Sequence, residues 1–282
     1  MSFNYIAAIS ALECKNLIKS VSPNVIDLGC QTPSIEIDKF IEYSRINKKT
    51  ISDSQIANLN KIKDKNFSTR DFFTAINFKD YAAIDINGEH DSYQFDLNFN
   101  VEEKYNFKNQ YDLVINNGTG EHVFNQFSLF ENFHNLTKKN GIMLNILPFI
   151  DWINHGFYNF NPILFADLSA GNDYEIIKIS FANRMGSELE LKKEDHLILF
   201  EQIKPSHVNT AFAKFIDLAK KKLGANIILK VITKKNNELP FQTPLQGKYL
   251  HDIKNINSNY SDQKKGSSDA LNQIYDGAKR NL

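Results

Sequence analysis

Cysteine is nearly absent: Cys14 and Cys30 are the only two in 282 residues. They have no metal-ligand spacing and are too few for a disulfide framework, which makes zinc unexpected and fits a reducing cytoplasm. An excess of charge of either sign is missing too. Thirty-three Lys and Arg balance thirty-three Asp and Glu, so no long-range field draws the chain to nucleic acid or to an anionic membrane, and a charged partner must be recognised locally. The opening MSFNYIAAISALECKNLIKS lacks both a basic leader and an unbroken apolar run. It reads as neither signal peptide nor membrane span, but as an amphipathic helix packed on the domain. Glycine is missing where it would be most telling. After VIDLG, a dinucleotide fingerprint needs two more glycines, and the chain has Gln31, Thr32, Pro33 and Ser34. Without that phosphate cradle, an oxidoreductase using a nicotinamide dinucleotide is disfavoured.

What is present is ample for folding, since 42% of residues are hydrophobic and can fill a substantial core. The apolar, β-branched run Val25–Gly29 reads as a buried strand entering a tight turn. Pro33 and Ser34 suit the first turn of a helix through IEIDKFIEYSRI. A polar, Lys- and Asn-rich stretch at about 47–66 reads as an insertion or a mobile helix-loop. STRDFFTAIN predicts a capped short helix, YAAIDIN a second strand ending at Asp85, and SYQFDLN a short third strand. YDLVINNGTGEHVFN predicts a strand over 112–115 breaking into the polar loop 116–120. The helix FNQFSLFENFHNLTKKNG follows with Gly141 as its stop, and IMLNILP is the next strand. Alternating strand and helix argue an α/β, doubly wound, mostly parallel sheet with right-handed crossovers. Beyond Pro148 the pattern changes. Residues 149–174 are dense in aromatics without a clean period, which suggests a substrate lid. YEIIKISFAN and NIILKVITKK, with HLILFEQI and the helix VNTAFAKFIDLAKKKLG between them, complete the sheet with a terminal antiparallel hairpin. One domain is thus expected over 1–255, followed by a polar tail over 256–282.

Four segments in this order resemble the class I S-adenosylmethionine-dependent methyltransferases over roughly residues 20–150. VIDLGC is similar to the family's first motif, AIDIN to its second, FDLN to its third and YDLVINNGTGEHV to its fourth, while LTKKNGIMLNILP is similar to the family's helix end and fifth strand. The resemblance implies a seven-stranded Rossmann-like sheet and S-adenosylmethionine as cofactor, with S-adenosylhomocysteine as product. It implies that Asp27 and Gly29 approach the methionine part, Asp85 with Ile86 meets the ribose hydroxyls, Asp96 and Leu97 lie beside the adenine, and Asn116, Asn117 and Gly118 line the cleft. NHGFYNFNP, ADLSAGNDY and PFQTPLQGKY together resemble a subgroup of methyltransferase-like proteins, some associated with surface polysaccharide or glycoconjugate synthesis. That likeness implies a small, sugar-linked acceptor.

Methyl transfer from a sulfonium is an in-line displacement, so the protein supplies positioning, a dry cleft and, for a hydroxyl nucleophile, a base. His122 and His155 are the candidate bases, because an imidazole ordinarily titrates near neutrality. Glu121 and His122 would make two ligands of a divalent-metal site, but no third stands at helical spacing, and no metal is expected. Trp152 and Tyr158, with Asn154 and Asn159 interleaved, suit a sugar acceptor, since an apolar core would not favour unpaired amides. Gln242, Gln246 and Tyr249 are expected to close the same pocket. The alternative to an enzyme is a non-catalytic, methyltransferase-like binding module, favoured by the turn at Gln31–Ser34.

Overall fold

The computed structural model describes residues 2–190 and 216–246. Its strands are β1 (Asn24–Asp27), β2 (Asp80–Ala83), β3 (Tyr111–Asn117), β4 (Thr137–Ile150), β5 (Tyr174–Ala182), β6 (Glu188–Glu190) and β7 (Ile227–Lys235). They form one seven-stranded sheet in the order β2-β1-β3-β4-β7-β5-β6. The first four strands pair in parallel. β7 lies antiparallel between β4 and β5, and β6 pairs antiparallel with β5. The sheet is therefore mixed, with the parallel half carrying the Rossmann-like, doubly wound topology. From β1 the chain moves outward to β2 and then back across to β3, so strand order reverses between β1 and β3. Crevices at such a reversal are where open α/β sheets bind ligands.

The central parallel strands are largely apolar because helices cover both faces. Side chains alternate: Val25, Leu113 and Ile142 pack towards the N-terminal helices, while Ile26, Val114 and Met143 pack towards α6 (Gln126–Leu136). On the first face lies α1 (Tyr5–Leu17), expected as an amphipathic helix but buried on most sides. Just before it, the Phe3 backbone bonds Thr32 and Ser34 of the turn after β1. The same pairing keeps 33–36 extended, so the next helix, α2 (Ile37–Ile46), begins after Pro33 and Ser34 rather than on them. The polar stretch at 47–66 contains α3 (Asp53–Asn60), which is fixed by a Ser52–Gln55 capping box and by buried Leu59. α4 (Thr69–Ala75) is capped by Ser68 as the sequence predicts.

Elsewhere the structure departs from expectation. The strand expected at SYQFDLN is a single bridge between Ile84 and Tyr93, and α5 (Val101–Tyr105) follows it under an Asn100 cap. Gly141 does not stop α6, which ends at Thr137 through a bond from the Thr137 amide to the His134 carbonyl. Gly141 lies within β4, where a Cβ would come within 2.8 Å of the Lys138 carbonyl. In the aromatic segment, 151–161 is irregular. α7 (Pro162–Asn172) then forms a scaffold helix with Pro162 in its first turn and buries Phe165 and Leu168 against the strands. The hairpin that closes the edge is β5–β6, and β7, from far along the chain, pairs with β5 through eight of its residues. HLILFEQI, the first eight residues of VNTAFAKFIDLAKKKLG, Tyr249 and the tail 256–282 lie outside the described residues, while 216–223 are helical as expected. Among the described residues no helix is long and apolar enough to cross a membrane.

Candidate functional site

Two strand ends meet at the β1–β3 reversal. Asp27 closes β1 fully buried; its Oδ1 accepts the Gly29 amide at 3.3 Å, and among the described residues its Oδ2 has no hydrogen-bond partner. Burial pushes this carboxyl well above the usual carboxylate range, the Gly29 amide opposing it. Gly29 is a glycine for a steric reason, since a Cβ there would collide with the Thr119 hydroxyl. From β3, Asn116 is held between the Asn145 side chain at 3.1 Å and the Gly120 amide at 2.9 Å. Asn117 donates to Gln31 Oε1 at 2.6 Å, and Gln31 Nε2 donates back to the Asn117 carbonyl. Asn117 Oδ1 is buried with no partner among the described residues. Gly118, at φ +66°, makes the left-handed turn that takes the chain out of the strand.

Gln31 thus replaces the missing glycine with a buried side chain that ties the two turns together, and Thr69 Oγ1 bonds its carbonyl at 2.5 Å. Asp85, half-buried just past β2, accepts the Cys30 amide at 3.1 Å and the Asn87 amide at 3.2 Å. The first bond ties the turn after β1 to the turn after β2. Ile86 beside it is exposed. Asp96 accepts both nitrogens of Asn98, and Leu97 is buried with Val101 and Phe107.

A second polar group stands where β3 and β4 hand over to their loops. The short 3-10 turn Gly120–His122 carries Glu121, whose side chain is completely buried. His155 Nε2 lies 3.2 Å from Glu121 Oε1, and His122 Nε2 lies 3.9 Å from the same oxygen. The two imidazole centroids are 5.1 Å apart. Glu121 Oε2 has no partner among the described residues. Burial pushes the Glu121 carboxyl up to about 7 and lowers both imidazoles from their ordinary value, His122 adding to the depression at His155. The loop 151–157 is fastened to Glu121 by the Phe157 amide, which donates to the Glu121 carbonyl at 2.7 Å. Gly156 permits that approach, since a Cβ there would stand 2.8 Å from both Glu121 Cγ and its carbonyl oxygen.

The sequence offered Glu121 and His122, and the fold adds His155 from 34 positions beyond Glu121. Spacing along the chain carries no signal of that meeting. Trp152, singled out as a stacking surface, is buried instead; its indole N–H donates to the Ile227 carbonyl at 2.9 Å and its ring packs 4.9 Å from His155. Asn154 is exposed at φ +56°. Tyr158 and Asn159 line a cavity of about 530 Å³ between α6, α7 and residues 241–246, and Gln246 reaches it from the other end of the chain. Its other walls include Phe127, Phe130, Ile163 and Leu164. Gln242 is spent elsewhere, its amide donating to Asn172 Oδ1 at 2.7 Å.

No family model matches the sequence, and no curated protein does. Solved structures similar to this chain include the O-methyltransferase from the trans-AT PKS multienzyme of Brevibacillus brevis in complex with S-adenosyl-L-homocysteine. It is 13% identical, with 97% of this chain and 82% of that one covered and a TM-score of 0.38. A SAM-dependent methyltransferase from Archaeoglobus fulgidus is 12% identical over 82% of this chain and 94% of its own, at a TM-score of 0.40. The plantazolicin methyltransferase BpumL in complex with SAH is 11% identical over 83% of each chain, also at 0.40. Likeness at that level carries no argument about activity, so function has to be argued from the residues of the crevice.

Proposed function

We propose that the protein is an S-adenosylmethionine-dependent methyltransferase acting at oxygen or nitrogen of a small acceptor. The observation that carries this reading is the pair of buried acceptor atoms at the strand-order reversal, Asp27 Oδ2 and Asn117 Oδ1, which have no partner among the described residues. Buried polar atoms ordinarily find partners, and one oxygen of the Asp27 carboxyl together with the Asn117 amide oxygen suits a cationic amino group. A phosphate would meet no glycine-rich cradle here. The donor set therefore fits the methionine end of this cofactor, with Asp85 at the end of β2 suited to a ribose diol. Bound there, the cofactor supplies a methyl group on a sulfonium. The chain's own residues then hold the nucleophile in line and keep water out.

On the acceptor side, His122 and His155 present ring nitrogens to the proton of the reacting hydroxyl or amine, and Glu121 fixes His155 from behind. Asn154 stands exposed next to His155. The 530 Å³ cavity supports an acceptor with an apolar part lying against Phe127 and Leu164 and hydroxyls meeting Tyr158, Asn159 and Gln246. A sugar-linked molecule is the acceptor class we propose. A non-catalytic binding module is the second reading, favoured by one observation: the Gln31 side chain lies across the turn and bonds Asn117.

Thermal unfolding with and without S-adenosylhomocysteine separates the two. At a hundredfold excess over the dissociation constant a specific ligand adds roughly 2.7 kcal/mol, a rise of several degrees. A rise with one-to-one calorimetric binding, followed by transfer of labelled methyl to a sugar-nucleotide or glycan pool, is the expected result. No shift at millimolar ligand refutes the cofactor assignment and leaves the binding module.

A further inference from the structure

Glu121, His122 and His155 each offer one donor atom, and the three atoms lie within 4.8 Å of one another. We propose that they bind a divalent first-row transition ion, of the zinc or manganese class, at the carboxyl ends of β3 and β4. Two imidazole nitrogens with one carboxylate form a set that such ions prefer, whereas calcium and magnesium favour all-oxygen shells. Metal–ligand bonds of about 2.0–2.1 Å place tetrahedral donors roughly 3.3 Å apart. The observed 3.2 Å from Glu121 Oε1 to His155 Nε2 matches that spacing, and the 3.9 Å to His122 Nε2 closes with a rotation of the more exposed ring.

A hydrogen bond from His155 alone accounts poorly for this arrangement. It satisfies one oxygen of a carboxylate whose side chain is wholly buried, and leaves Oε2 without a partner. Among the described residues, the ion-pair partners of Glu121 are these two imidazoles and no lysine or arginine. A buried carboxylate is costly unless a cation accompanies it, and a divalent ion between the three donors supplies that charge. The surroundings are also built to hold the donors still. Gly156 lets the His155 loop close on Glu121, the Phe157 amide pins that loop, and the Trp152 ring packs on His155. Three protein ligands leave at least one position of the ion open for water or an oxygen of another molecule. Under the methyltransferase reading, the acceptor hydroxyl meets that open position instead of a bare imidazole. Ion binding itself stands or falls independently of that reading.

The test uses the full chain, stripped with EDTA and titrated calorimetrically with zinc and separately with manganese. Cobalt is added as a spectroscopic probe of the nitrogen donors. One equivalent per chain is expected, with affinity falling at least tenfold in His122→Ala and in Glu121→Gln. Both variants are checked for folding by metal-free thermal unfolding, and because His122 is about half exposed its loss should leave the fold intact. His155→Ala should abolish the cobalt spectrum given by the native chain. Absence of stoichiometric binding, or binding that survives both His122→Ala and His155→Ala, overturns the proposal. Binding of S-adenosylhomocysteine is measured on the same samples, so a lost cofactor and a lost ion are read separately.

Discussion

Replacing Gln31 with alanine should damage both the fold and the crevice. The Gln31 side chain is buried and makes two bonds with Asn117, one accepting from its side-chain amide at 2.6 Å and one donating to its carbonyl. Alanine removes both bonds and strands the Asn117 amide in a buried site. Leaving a buried polar group unpaired costs about 1–3 kcal/mol, so the two losses together should cost about 3 kcal/mol. In a chain of this size each kcal/mol lowers Tm by roughly 2–4 °C, which predicts a fall of about 6–12 °C in calorimetry. If Asn117 Oδ1 receives the cofactor, its loosened side chain should also weaken S-adenosylhomocysteine about tenfold, or about 1.4 kcal/mol. Titration at a temperature where both proteins are folded measures this directly. The opposite result, a stable variant that binds the ligand more tightly, would show that Gln31 obstructs the crevice, and the assignment of Asn117 to the cofactor would fail.

Other perturbations test other parts of the structure. Asp85→Ala should weaken the cofactor by about 1–3 kcal/mol in titration, since it strips the charged acceptor from the end of β2; unchanged affinity would place the ribose elsewhere. Gly156→Ala drives a Cβ against Glu121 and should displace His155, lowering metal affinity by tenfold or more while the sheet stays intact by circular dichroism. Lys230 is wholly buried in β7 against Glu13 at 2.5 Å and Glu188 at 3.3 Å, so Lys230→Met should cost about 1.5–3 kcal/mol in urea unfolding, since it removes the buried cation while Lys49 still faces Glu13 and Lys178 still faces both carboxylates. Burial raises the Glu13 carboxyl, but Lys230, Lys178 and Lys49 outweigh it and hold it below its ordinary value; Glu188 is held down in the same way by Lys230 and Lys178. The unfolded chain therefore takes up protons first, and this stabilisation should be present above about pH 4.5 and fade as pH falls below it. His134 behaves likewise at higher pH: burial, then Lys235, lowers it from 6.5 to about 4. Native stability should decline by about 3 kcal/mol from pH 6.5 to 4 on its account, and His134→Gln should remove that slope.

Legibility in the sequence tracked how local each determinant is. β1, β3 and β4 were readable because a strand buried on both faces is a short apolar run bounded by turn residues, and Val25–Gly29 satisfies that on its own. The start of α2 was misplaced because Pro33 and Ser34 suit a helix start equally in isolation, and only the pairing with Phe3 keeps them extended. Gly141 failed for a related reason: a glycine after a helix ends the helix or opens the next strand with the same local preference, and here Thr137 had already ended it. Asp27 closes β1 as its apolar run predicts, Asp85 lies two residues past the end of β2 rather than on it, and the partnership of Gln31 with Asn117 carries no local signal.

The site's central grouping shows most clearly what sequence order hides. Glu121 and His122 stand together on a 3-10 turn, but His155 joins them only because Gly156 has no side chain and the Phe157 amide finds the Glu121 carbonyl. That contact changes the sense of the aromatic segment. Trp152, read as a stacking platform, spends its N–H on the Ile227 carbonyl and its ring on His155, so it anchors the loop to β7. What had the composition of a lid therefore includes a buttress. A loop held by a buried indole, a backbone bond and a glycine-sized gap keeps an imidazole at a fixed distance from a buried carboxylate, as either proton transfer or metal binding requires.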